Sequence, residues 1–301
     1  MAMMMIKNHV RSISLPSRSH PSTVAIEESL DKLLIITMNM STMTSSDAVY
    51  SGLSGLEDLY DCTEELLKMG STQRLLSCSD EKKKKRKKKM KMMMKMKGEF
   101  MEEMLDGSLR LMDICNVSRD LMVESHEHVL GLQSCVRRRK DVDVSGHVGF
   151  RKNMRKEVKK LLGSLKNISV GLVMKDQDCD QDGDFHFLAV IHAMRRVVLM
   201  TVSVLKSFLE FLSGGRQNGN DIRSKLALVL MNKKFQDHDK MVRNELEDID
   251  SAICGDSVSH DDLHMKLEEV EVWIGRFEKS LEELFRGLIR TRTSLLNIIS
   301  Q

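Results

Sequence analysis

Proline is almost absent: the 301 residues hold two, Pro16 and Pro21, both within the first 21. The residue that most reliably interrupts helices is therefore missing from everything that follows, and long helices are permitted nearly everywhere. Aromatic residues make up 4% of the chain, which leaves few platforms for stacking nucleic-acid bases. Long apolar runs are also missing. The longest, Val197 to Leu205, contains Thr201 and Ser203 and is preceded by Arg195 and Arg196. A membrane span needs roughly 18 residues, so no transmembrane helix is expected. The first twenty residues lack the apolar core of a secretory signal, so no signal peptide is expected. Cys62, Cys78, Cys115, Cys135, Cys179 and Cys254 show no metal-like or redox-like spacing and read as reduced thiols. The expected location is the cytoplasm, with the nucleus as an alternative.

Charge is nearly balanced overall and very unevenly placed. Lys82 to Lys97 carries 11 basic residues and no acid, and the remaining 36 basic residues face 44 acidic ones, a balance of −8. A nucleic-acid-binding domain would spread positive charge over its folded face, whereas here the excess sits in one low-complexity segment.

What is present is helical periodicity. From Leu263, steps of four and three give Leu263, Leu267, Val270, Ile274, Phe277, Leu281, Leu284, Leu288, Thr291, Leu295 and Ile298. That is a helix of about 50 Å at roughly 1.5 Å per residue. Ser259 with Asp262 offers a capping box at its start. A second series from Phe187 to Leu212 has an unusually wide apolar stripe and predicts a central helix, ended by Gly214 and Gly215. A third runs Phe100, Met104, Gly107, Leu111, Ile114, Ser118, Leu121, Ser125, His128, Leu132 and Cys135, and its small and polar members predict closer, less hydrophobic packing. A fourth runs from Met154 to Leu172, and shorter helices fit Thr23–Ile36, Ser54–Met69, Ile222–Lys234 and Asp239–Ile253. No period of two is sustained. The fold class is all-α, an elongated and mostly antiparallel helical bundle, with the heptads used inside one chain in preference to a coiled-coil dimer. The expected divisions are a basic Ser-rich arm over 1–21, N-terminal helices over 22–76, a disordered Lys/Met-rich insert over 77–98 and the main bundle over 99–301. Met38–Ser46, Ser77–Lys97, Arg137–Gly146 and Lys175–Asp184 read as linkers.

Four stretches, in order, resemble a plant-specific family related to the BYPASS proteins: His9 to Pro21, Leu53 to Met69, Phe100 to Met122 and Leu284 to Ser300. The resemblance implies an all-helical plant protein connected with root and shoot development, and it carries no catalytic residues. Lys82 to Lys97 stands where such proteins usually have a short connection, so a role for it would belong to this chain and not to the family.

Candidate chemistry is sparse. Asp178, Asp180, Asp182 and Gly183 fit the first half of a calcium loop, but position 12 is Ala189, so the bidentate carboxylate is missing and a solvated acidic linker is the simpler reading. His260 and His264 lie one helical turn apart and read as an exposed pair at a helix start, while His126 and His128, two apart, face different sides of their helix and make a poor ligand pair. No phosphate-binding glycine loop, nucleophile elbow, kinase signature or zinc-protease helix appears. No enzyme activity, cofactor, metal or small-molecule substrate is inferred.

The reading that results is a non-catalytic regulatory or scaffold protein acting through helix-mediated contacts with a protein partner or a second copy. Candidate interaction residues are Arg11 and Arg18 in the N-terminal arm, and Arg286, Arg290 and Arg292 in the last helix. Lys82, Lys83, Lys84, Lys85, Arg86, Lys87, Lys88 and Lys89 form a cationic run open to three readings: a nuclear import signal, a patch for anionic lipid, or an inert insert.

Overall fold

The computed structural model describes residues 21–42, 45–77, 87–176, 185–214, 244–255 and 259–300. They form α1 (Pro21–Thr42), α2 (Ser46–Lys68), α3 (Gly70–Leu76), α4 (Lys87–Arg137), α5 (Val144–Asp176), α6 (Phe185–Ser213), α7 (Glu245–Cys254) and α8 (His260–Ser300), with no strand among the described residues. The chain is all-α. The expected helix at Ile222–Lys234 and the acidic calcium-like loop lie outside the described residues.

Helix boundaries follow local chemistry. Ser45 caps α2 by accepting from the Ala48 N–H at 3.3 Å, and Asn244 caps α7 by accepting from the Glu247 N–H at 3.0 Å. Ser259 accepts from the Asp262 N–H at 3.1 Å, which starts α8 where the sequence places a cap. Gly214, at φ +80°, ends α6 as expected. Arg139 takes a similar left-handed conformation, φ 49°, beyond the end of α4. There the Lys140 N–H donates to the Cys135 carbonyl at 3.1 Å and closes the last turn.

One correction concerns the Lys/Met-rich segment. Expected as a disordered linker over 77–98, it is helical from Lys87 onward and forms the first turns of α4. Composition misleads here because lysine and methionine both favour helix, and nothing after residue 21 supplies a proline to stop it. Two expected linkers are also shorter than predicted: α1 continues to Thr42, and α5 begins at Val144.

The buried residues form one continuous core drawn from all the long helices. All eleven positions of the Leu263–Ile298 series are buried, and they face α2, α4 and α6 of the same chain. Contacts fix the directions. Arg119–Glu282 and Gln133–Glu271 make α4 antiparallel to α8, whereas Asp47–Arg276 and Asp61–Arg290 make α2 parallel to it. Helices of both directions therefore surround α8.

The predicted central helix is α6: from Val197 to Ser213 every residue except Ser203 is buried. Phe208 and Phe211 meet Phe277 and Trp273 of α8 edge-on, at 5.5–5.8 Å between centroids. By length and composition alone His186–Ser213 could cross a membrane, with a mean hydropathy of 1.7, and 72% of that window is buried inside the protein. Counting uninterrupted apolar runs misses this stretch because single polar residues break the run without lowering its average. Two polar pairs sit within this core: Arg195 makes a two-toothed ion pair with Glu103 at 3.0 and 3.1 Å, and the Tyr60 hydroxyl meets Thr201 Oγ1 at 3.1 Å.

Candidate functional site

The densest polar cluster among the described residues joins α4, α5, α7 and the end of α6. The sequence places His147, Arg151 and Arg155 four residues apart, so all three project from one face of α5. They converge on Asp250 of α7. His147 Nε2 lies 3.0 Å from Asp250 Oδ1, Arg151 Nε lies 2.9 and 3.0 Å from the two carboxylate oxygens, and Arg155 Nη2 lies 3.1 Å from Oδ2. The same two arginines also cap α6: Arg151 Nη1 donates to the Leu212 carbonyl at 3.1 Å and Arg155 Nε to the Ser213 carbonyl at 3.0 Å. Asn244 adds a bond from Nδ2 to the Phe211 carbonyl at 2.7 Å. Two orphan carbonyls at the negative end of the helix dipole are thus satisfied by two cations, and the amide joins the Gly214 N–H on the Phe211 carbonyl.

A histidine from α4 completes the cluster. His128 Nε2 is 3.0 Å from His147 Nδ1, and the His128 ring stacks on Phe150 at 4.1 Å. An ionised Asp250 requires the Nε2 proton of His147, so neutral His147 accepts at Nδ1 and His128 donates from Nε2. Burial above all, then repulsion from Arg151 and from His147 whenever that ring is protonated, pulls the His128 pKa from 6.5 to about 4. Burial alone would raise the Asp250 carboxyl, but the His147 hydrogen bond and the Arg151 guanidinium outweigh it and hold the group below its usual value.

The chemistry of this arrangement is proton-linked cohesion. The adjoining cavity, lined by Ser125, His128, His147, Phe150, Asp250 and Trp273 among others, measures about 30 Å³. That is room for about one water. No group of three or more His, Cys, Asp or Glu is placed to hold a metal among the described residues.

The arginines singled out from sequence make contacts within the chain. Arg290 bridges α8 to α2, with Nη2 2.8 Å from Asp61 and Nε 2.9 Å from Glu64. Arg292 donates to the Leu105 carbonyl and to Ser108 Oγ of α4. Arg286 stays on its own helix, at 3.0 Å from Glu282 and 3.2 Å from Glu283. Arg11, Arg18 and Lys82 to Arg86 lie outside the described residues, and Lys87, Lys88 and Lys89 lie in the first turn of α4. His126 and His128 do point apart: His126 faces Glu271 and Glu278 of α8, at 3.9 and 3.7 Å, and His128 faces α5. His264 pairs with Glu268 at 3.3 Å, and His260 is exposed. Cys62, Cys115, Cys135 and Cys254 are free thiols.

Sequence reasoning missed the Asp250 cluster. The spacing of His147, Arg151 and Arg155 was visible, but Asp250 sits about a hundred residues away among other acids of α7 and has no local mark.

A family model described as Protein BPS1 matches residues 52–298. No curated protein and no solved structure matches the chain.

Proposed function

The chain belongs to the BPS1 family, and from that premise we propose that it is a non-catalytic regulator of plant root and shoot development that works as a helical scaffold. One observation carries the scaffold reading. The inward stripe of α4 is occupied by α8, yet its outward face carries a second apolar series at multiples of seven: Leu109, Val123 and Leu130, exposed at 45%, 50% and 41%. Asp113, Asp120, Glu124 and Glu127 are exposed between them. A stripe of this kind suits a partner helix with an apolar seam and basic flanks. We place the protein in the cytoplasm, with nuclear import as the alternative reading of Lys82–Lys97.

The test is the triple substitution L109E/V123E/L130E. It touches only exposed side chains and is expected to leave circular dichroism and Tm unchanged, while removing a specific partner cross-linked to the wild-type protein in plant cells. An identical set of cross-linked proteins in wild type and variant would sink the outward α4 face as the docking surface.

A further inference from the structure

We propose that the first turns of α4 form a docking element for the surface of an anionic lipid bilayer. This goes beyond the scaffold reading and does not depend on it. Lys97 is the point at which α4 joins the body: its ammonium donates to the Ser77 carbonyl at 3.2 Å and lies 5.8 Å from the centre of the Phe187 ring. Met96, one residue earlier, packs partly against the core. Before that point the helix presents its apolar groups to solvent, with Met92 exposed at 65% and Met94 at 42%, and Lys95 is exposed beside them. Met92 and Met94, two residues apart, face different sides of the helix, so the cationic tip carries an exposed methionine on each flank.

The charge fits one kind of surface. Lys87, Lys88, Lys89, Lys91 and Lys95 fall within nine residues that contain no acid. In sequence the nearest acids are Glu81, ahead of the basic run, and Glu99, which pairs with Lys95 at 3.6 Å. Glu99 lies about 18 Å along the helix from Lys87, more than twice the ~8 Å over which charge is felt at physiological salt. The tip is therefore cationic in its own right, although the rest of the chain is net acidic. Basic residues interleaved with unbranched apolar ones on a helix suit the interface of a bilayer, where lysines meet anionic headgroups and methionines enter the headgroup layer. At the same end Ile299, exposed at 51%, shares a groove with Gly98, Met101 and Leu105, which Glu102 and Asp106 also line. A nucleic acid would satisfy the charge but would make no use of the methionines, and residues 82–97 contain no aromatic side chain on which a base could stack.

The experiment uses the full-length protein and vesicles of phosphatidylcholine with or without phosphatidylserine. Wild type is expected to co-sediment with the anionic vesicles only, and less so as salt rises. M92Q/M94Q, which changes no charge, is expected to weaken binding about tenfold, the loss of partial burial of two methionine side chains. K87Q/K88Q/K89Q/K91Q is expected to abolish it. All variants alter exposed positions or the tip, and unchanged circular dichroism confirms the fold. Any of three results overturns the proposal: no binding to anionic vesicles, binding indifferent to M92Q/M94Q, or lipid-free, salt-sensitive dimers abolished by the same substitutions. Tighter binding to a single-stranded oligonucleotide that ignores M92Q/M94Q would likewise overturn it and assign the tip to nucleic acid.

Discussion

Lys97 donates to the carbonyl of Ser77 at 3.2 Å and so ties together the two ends of the Lys/Met-rich segment, twenty residues apart in sequence. The bond is charge-assisted and the ammonium is buried, which places it at the stronger end of side-chain hydrogen bonds. Lys97→Met keeps the apolar stem and removes the donor. It is expected to lower stability by about 1–3 kcal/mol in urea melts, and to speed tryptic cleavage between residues 82 and 91. Unchanged cleavage would mean that the clasp does not control the segment.

The burial of His128 beside His147 sets a pH dependence with a definite sign. His128 titrates at about 4 in the folded protein, against 6.5 for its ordinary value. Between these values the unfolded chain holds the extra proton, so stability falls as pH drops from about 6.5 towards 4. Asp250 works in a different window. Its folded pKa lies below 3.8, so its contribution is fully present above that and is lost only as pH falls further. His128→Gln cannot gain the charge and is expected to flatten the loss of stability between pH 7 and 4.5. Urea melts at both pH values read this directly, and an unaltered slope would exclude His128 as its source.

Asp250→Asn removes the carboxylate that, among the described residues, contacts both Arg151 and His147. Arg151 is then a buried guanidinium without its counter-charge, a situation that costs about 3–5 kcal/mol. Since Asp250 retains 20% side-chain exposure, the lower end is expected. Arg151→Met on the D250N background should recover part of the loss. A double-mutant cycle with no coupling would show that the two groups do not depend on one another.

Gly287 and Gly52 offer a matched contrast. A Cβ on Gly287 would stand 2.9 Å from Tyr60 Cβ and 3.1 Å from Tyr60 Cγ, atoms held close to the α2 backbone. A Cβ on Gly52 would meet Met40 Sδ at 2.6 Å, near the end of a flexible chain. Gly287→Ala is expected to destabilise by about 1–2 kcal/mol, because overpacking outweighs the roughly 1 kcal/mol of helix propensity gained. Gly52→Ala should be close to neutral. Thermal melts of the two variants should separate, and equal Tm values would mean that α2 and α8 can move apart freely.

How far these arrangements could be read beforehand depended on whether the determining signal was local. The Leu263–Ile298 seam was fully legible, since each member faces the core and the period alone reports it. The Phe100–Cys135 series was legible at its start and drifted at its end. There Val129 and Val136 are buried, while His128 and Cys135 are only half-buried. A straight helix turns every 3.6 residues, so a strict seven-residue reading slips about 20° per heptad, or one residue over five. That slip moved His128 off the α8 seam and placed it beside α5. The Asp250 cluster was not legible, because its cohesion comes from elements that sequence alone does not bring together. The arginines of the last helix read from sequence as candidate interaction residues, and two of them, Arg290 and Arg292, reach Asp61, Glu64 and Leu105 on other helices of the same chain, partners that no local pattern announces.

The burial of α6 has a consequence for the order in which the chain is made. Its aromatic face is covered by Trp273 and Phe277 of α8, which leave the ribosome some sixty residues later, and α8 ends at Ser300. At about 5–20 residues per second that aromatic face stays uncovered for several seconds, while α1, α2 and α5, made earlier, are already present to cover the rest of α6. The arrival of the last helix therefore closes the one face of α6 that the earlier helices leave to it.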